Sequence, residues 1–147
     1  MIHDFKQISI LKLKKPKDQD VNQELQWLSM SLGLFGERDK EKSCFRIFVE
    51  LVKAGRRGLP LTSDHLAART NITRATVIYH MRRLMEAGIV IADGNRYRLR
   101  ADSLEEMIQT IKKETAVVLE DIQKMAELLD EELGLVKKNR KVHVISD

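Results

Sequence analysis

The sequence predicts a mainly α chain with one small β-hairpin, and three observations carry that prediction. Apolar residues recur at spacings of three and four in several separate stretches, which is the period of an amphipathic helix. A single Asp93–Gly94 pair stands between the β-prone runs "IVIA" and "NRYRLR", the strongest short-range signal for a hairpin. Only two prolines and seven aromatic residues (four Phe, two Tyr, one Trp) occur in 147 positions, so little interrupts helix formation.

This length suffices for one domain with a proper core plus an extension. A hydrophobic content of 43% against 33% charged residues excludes a wholly disordered chain. No apolar run nears the ~20 residues of a membrane span. The opening "MIHDFKQISILKLKKPKDQD" has an acidic residue near its start and lysines after its short apolar run. A signal peptide has the reverse polarity, so a cytoplasmic, membrane-free protein is expected.

The charge is unevenly placed. Residues 44–100 hold eleven Lys and Arg against four Asp and Glu, a net +7, whereas residues 101–133 hold three against ten, a net −7. Residues 1–43 and 134–147 contribute +1 and +3. A basic patch of this kind is the electrostatic footprint of a polyanion binder. Charge alone leaves a merely solvated surface as an equal reading.

Taken in order, residues 1–19 form an arm or strand in which Phe5, Ile8, Ile10 and Leu13 alternate loosely with polar residues, followed by the linker "KKPKDQD". Residues 20–36 read as an N-terminal helix and a dimerisation element. Asp20 with Gln23 has the spacing of a helix start, and Val21, Leu25, Leu28 and Leu32 share one stripe. Trp27, Leu34 and Phe35 widen that stripe, and Gly33 and Gly36 end it. In residues 37–100 a second helix places Phe45, Phe48, Leu51 and Val52 on one face, with Cys44 and Ile47 beside them and Gly55 as its stop. Cys44 is expected to be a small core residue.

After a short extended piece at Leu59–Leu61, a helix capped by Thr62 or Ser63 turns Leu66 and Ala67 inward. A turn at Thr70–Ile72 leads to a second cap, Thr73, and to a helix over about 74–87 stopped by Gly88. Two short helices joined by so brief a turn outline a helix-turn-helix.

The second of these helices explains why a folded unit carries so much positive charge. Val77, Met81 and Leu84 form its inward face; Ala75, Tyr79, Arg82 and Glu86 lie opposite, flanked by Thr76, Ile78 and Arg83. Such side chains suit a DNA major groove. Arg82 offers two hydrogen bonds to a guanine, Tyr79 packs on or bonds to a base or phosphate, and Ala75 or Ile78 meets a thymine methyl. Thr73, Arg74 and Thr76 sit at the helix N-terminus, where backbone amides favour phosphate. The hairpin at 89–100 supplies a wing: Arg96, Arg98 and Arg100 alternate with Tyr97 and Leu99. Arg96 lies nearest the tip, in reach of a minor groove or backbone phosphate, with Arg98 and Arg100 further back. The whole predicts a winged helix-turn-helix flanked by an N-terminal helix and a long C-terminal one.

The segment "LTSDHLAARTNITRATVIYHMRRLMEAGIVIADGNRYRLR" also resembles the winged helix-turn-helix of ArsR-like transcriptional regulators, particularly archaeal ones, over about residues 44–100. The resemblance implies a homodimer on double-stranded DNA with Arg74, Thr76, Tyr79, Arg82 and Arg83 as recognition-helix contacts and Arg96 on the wing. His80 matches a position where such regulators often carry histidine; its place beside the inward face favours packing. Metal-sensing members carry paired cysteines, or carboxylate–histidine pairs on the C-terminal helix. Here Cys44 is alone and His3, His65, His80 and His143 are scattered, so no metal and no other cofactor is expected.

Residues 101–134 read as a long dimerisation helix. Ser103 and Glu106 have capping-box spacing. Leu104, Ile108, Ile111, Thr115, Val118, Ile122, Met125 and Leu129 then form a heptad seam broken only by Thr115. Its partner is expected to be its symmetry mate, the stripe of the N-terminal helix (Val21, Leu25, Leu28, Leu32), or both in a small bundle. Residues 135–147 form a basic tail, whose "KVHVIS" matches "ISILKLK" only loosely as a paired strand. No phosphate loop and no Cys/His nucleophile pair points to catalysis, so no enzyme is expected. A sequence-tolerant architectural DNA binder and a winged-helix protein-interaction module stay open beside a sequence-specific regulator, in expectation a repressor.

Overall fold

A computed structural model of the chain describes residues 6–34 and 42–135. The expectations placed on His3, Phe5, Phe35, Gly36, His143 and the tail strand "KVHVIS" lie outside those residues.

Five helices and three short strands follow one another: α1 Val21–Ser31, α2 Ser43–Arg56, β1 Leu61–Thr62, α3 Ser63–Thr70, α4 Arg74–Glu86, β2 Val90–Asp93, β3 Arg96–Leu99 and α5 Leu104–Leu133. The chain is mostly helical, with a small antiparallel sheet after the helix-turn-helix and a long C-terminal helix, as predicted. The hairpin is wider than expected. Its strand β3 pairs on one side with β2, Asp93 opposite Arg96 and Val90 opposite Leu99. On the other side Leu61 and Thr62 pair with Tyr97 and Arg96. The extended piece before α3 thus becomes a third strand, in the order β1-β3-β2, and ties the wing to the start of the helix-turn-helix.

Local chemistry fixes the helix ends. Asp20 caps α1 by accepting from the Asn22 amide, and Thr73 caps α4 by accepting from the Thr76 amide. Thr62, not Ser63, caps α3: its hydroxyl accepts from the His65 amide while the His65 ring accepts from the Thr62 amide. The Ser103 hydroxyl takes the Glu106 amide at the head of α5. Gly55 does not stop α2, as its position suggested. The helix runs through it to Arg56, and Gly58 makes the left-handed turn at φ 66°. The Gly58 amide then donates to Gly55 O and the Leu59 amide to Ala54 O, so the last carbonyls of the helix accept from amides just beyond its end. α1 ends at Ser31, with Leu32 as its cap, and Gly33 follows in the left-handed conformation at φ 66°.

Two units emerge, residues up to Ile111 and residues from Lys112. The core of the first is built from Ile47, Phe48 and Leu51 of α2, Leu66 of α3, Val77, Met81 and Leu84 of α4, Ile89, and Met107 of α5, all essentially inaccessible. Cys44 is buried in it, as expected. Leu25 and Leu28 pack against this core and Leu32 belongs to it, while Val21 is 71% exposed. Most of the α1 stripe set aside for a dimer partner is therefore consumed within the same chain. The same correction applies to the first turns of α5: Ile111 is buried with Met107, and Leu104 and Ile108 pack on the core. In the second unit Val117, Val118, Leu119, Ile122, Met125, Leu128, Leu129 and Leu133 are exposed.

The N-terminal arm forms no strand within the described residues. It is nonetheless seated: the Lys6 and Gln7 amides both donate to Glu86 O at the end of α4, and the Leu11 amide donates to Ser31 O at the end of α1. Trp27 Nε1 donates to Leu13 O at 3.3 Å.

Candidate nucleic-acid interface

The turn between α3 and α4 spans Asn71–Thr73, and it works because Asn71 accepts a left-handed conformation at φ 58°, which asparagine tolerates better than most residues. Arg46 of α2 donates to Thr70 O at the end of α3, and the Thr70 hydroxyl donates to Leu66 O at 2.6 Å. The first bond ties the end of α3 to α2, and the second closes the last turn of α3 on itself. Val77, Met81 and Leu84 then pin α4 to the core, which leaves its opposite face outward.

On that face Ala75 and Arg82 are exposed, and Tyr79 is 60% exposed. Ile78, Thr76 and Arg83 are half-buried on its flanks. Among the described residues, Arg82 makes no ion pair or side-chain hydrogen bond, so its guanidinium is available to an outside acceptor. Arg74 is placed differently: its Nε stands 3.2 Å from Asp64 Oδ1, an exposed pair that joins the head of α4 to the first turn of α3. Thr73 and Thr76 are occupied with each other, the hydroxyls 2.9 Å apart. That cap occupies the Thr76 amide, and the other amides of the first turn have no acceptor within the helix. His80 is 6% exposed, and its ring meets that of Tyr79 edge-on with centroids 5.2 Å apart.

The three wing arginines divide in the same way. Arg96 is exposed and free of ion pairs among the described residues. Arg98 turns its guanidinium back onto Leu99 O at 3.2 Å, and Arg100 closes the base of the hairpin, 3.4 Å from Gly88 O. The arrangement therefore presents a helix of exposed Ala75, Tyr79 and Arg82 beside a two-stranded loop that carries Arg96. One protruding α-helix of this width fits a B-DNA major groove.

Residues 60–91 match the winged helix-turn-helix DNA-binding family. The match runs from the residue before β1 through α3, the turn and α4 into β2, the elements just described. No curated protein and no solved structure matches the chain. The chain thus carries a winged helix-turn-helix DNA-binding domain, which is equipment of a DNA-binding regulator. No helix among the described residues is long and apolar enough to cross a membrane.

Three features of this winged helix-turn-helix were invisible to residue spacing. Asp64 pairs with Arg74 across ten positions, Arg46 reaches Thr70 across twenty-four, and the arm reaches Glu86 across some eighty. Each depends on tertiary placement.

Proposed function

We propose that this chain is a sequence-specific transcriptional regulator of the ArsR-like type, which binds double-stranded DNA as a homodimer and represses by occupying a promoter. The observation that carries the reading is the outward face of α4. It holds a free guanidinium at Arg82 beside Tyr79 and Ala75, on a helix anchored by three fully buried residues. Arg82 reads a base, Arg74 and the N-terminus of α4 engage phosphate, and Arg96 on the wing meets the adjacent minor groove or backbone.

The dimer follows from the second unit. Val118, Ile122, Met125 and Leu129 keep the heptad spacing and are all more than two-fifths exposed. Solvent is a poor environment for four such side chains in a row, and a second copy of the helix provides the matching seam. Two recognition helices would then meet half-sites roughly 34–36 Å apart.

The test is fluorescence anisotropy of the full chain on the DNA upstream of its own gene, with a shuffled duplex as competitor. Strong preference for the upstream duplex supports a self-regulating repressor. Equal affinity for both favours a sequence-tolerant architectural binder. Absence of affinity for either at low salt favours a protein-interaction module and removes the reading.

A further inference from the structure

The arm does more than decorate the surface of the winged helix-turn-helix. Between residues 7–9 of the arm, the end of α1, the head of α2 and the last turns of α4 lies a cavity of about 320 Å³. That volume is at the lower end of the ~300–1,000 Å³ of small-molecule sites, so it suits a compact metabolite. The cavity is a built feature: Gly33 lines it at φ +66°, and a Cβ there would stand 2.7 Å from Ser9 Cβ and 2.9 Å from Ser9 O. Arm and helix end are fitted to one another at that point.

The lining is chemically two-sided. Ile8, Leu34 and Ala87 supply an apolar wall, and α4 contributes Tyr79, Arg83 and Glu86. Arg83 and Glu86 are one turn apart, yet among the described residues they form no ion pair with each other or with any other group. A lone anion on Arg83 would lie beside the Glu86 carboxylate, and a lone cation on Glu86 beside the Arg83 guanidinium. Each would gain one favourable charge contact and suffer one unfavourable contact. A ligand bearing both charges a short distance apart satisfies both side chains, and an apolar substituent fits the remaining wall. We propose that this cavity binds a 2-amino acid with an apolar side chain, its carboxylate on Arg83, its ammonium on Glu86 and its side chain against Ile8, Leu34 and Ala87.

Occupancy has a consequence for DNA. Arg83 and Tyr79 belong to the helix assigned to the major groove, where the sequence marks both of them as DNA contacts, and Arg83 engaged by a carboxylate is no longer open to DNA. The amino acid therefore lowers DNA affinity. This regulatory half rests on the DNA-binding function proposed above; the binding site itself does not.

Isothermal titration calorimetry on the full chain without DNA separates the two. The probes are leucine and two analogues that each keep one charge, isoamylamine and 4-methylpentanoate. Leucine is expected to bind saturably with one site per chain, and each analogue about tenfold or more weakly, the loss of one charge-assisted contact. Glu86→Gln, a change in an exposed side chain that leaves the backbone acceptor of the arm in place, is expected to weaken leucine about as much and to strengthen 4-methylpentanoate, whose carboxylate no longer lies beside a like charge. Ile8→Trp fills the cavity and abolishes binding, with a thermal melt to verify folding. No saturable heat from leucine, analogues binding as well as leucine, or unchanged leucine binding in Glu86→Gln overturns the site. Anisotropy on operator DNA with saturating leucine then tests the coupling, and unchanged DNA affinity overturns it. Should the chain bind leucine but no DNA, the site stands and the DNA function fails.

Discussion

Arg82→Ala isolates base reading from folding. The guanidinium is exposed and has no partner among the described residues, so its removal leaves no buried group unsatisfied. Stability should change by no more than about 0.5 kcal/mol, the usual range for such surface positions. Any larger loss of DNA affinity then belongs to the contact with DNA. A bidentate arginine–guanine pair contributes about 1–3 kcal/mol of discrimination, which is a factor of roughly 5–150 in the dissociation constant. The loss must also be selective: it falls on duplexes with the preferred base and nearly vanishes where that base is replaced. Arg96→Ala serves as the control, since a wing arginine on phosphate weakens all duplexes alike and lowers the slope of log K against log salt by about one. Anisotropy on an operator and single-position variants, each at several salt concentrations, supplies both quantities. Equal losses on every duplex for Arg82→Ala would refute base reading by this helix face.

Other expectations follow from specific contacts. Asp64→Asn releases Arg74 and removes a carboxylate next to the helix N-terminus; DNA affinity should rise with a steeper salt dependence, while stability falls by at most about 1 kcal/mol because the pair is exposed. Gly33→Ala forces a side chain into positive φ and against Ser9 of the arm. With strain of about 1–2 kcal/mol and weakened bonds at Gln7 and Leu11, urea denaturation should show a loss of about 2–4 kcal/mol, and the Leu11 amide should exchange faster. Asn71→Val places a β-branched residue at φ 58° and should lower stability by about 1–2 kcal/mol; Asn71→Gly should be nearly neutral, as read by thermal melts. Ile122→Asp puts a charge in the exposed heptad seam. Light scattering should report a monomer with intact helicity, and a persistent dimer would place the interface elsewhere.

What the sequence made legible was local. The caps at Thr73 and Ser103 act over three residues, and the inward face of α4 is a matter of helical period, so both could be read directly. The sequence narrows the cap of α3 to Thr62 or Ser63, and the His65 ring decides for Thr62. The Asp93–Gly94 turn is likewise self-contained. Gly55 and Gly58 look equally able to stop a helix. The choice between them depends on where the Leu59 amide finds an acceptor, and only the folded turn decides that. The heptad seam of α5 shows a different limit. Periodicity says that a side chain needs an apolar neighbour, not whose neighbour it will be. Met107 and Ile111 find theirs inside the first unit, whereas Val118 and Ile122 stay exposed. The arm was least legible of all, since its alternation is weak and its bonds run to helix ends far along the chain.

The same division explains the cations. Arg46, Arg98 and Arg100 spend their hydrogen bonds on carbonyls of the fold, and Arg74 has Asp64. These arginines have structural work that any stable domain could use. Arg82, Arg83 and Arg96 have none within the described residues, although they lie in the segment of net +7, where every further positive charge adds repulsion to the unbound state. Stability offers no reason to keep them. An external anion does, and the geometry separates the anions by type: Arg82 faces outward for a base edge, Arg96 sits at a wing for phosphate, and Arg83 turns to a cavity that has a carboxylate of its own. On α4 and the wing, charge that the fold does not use thus marks the places where the molecule is unfinished without a partner.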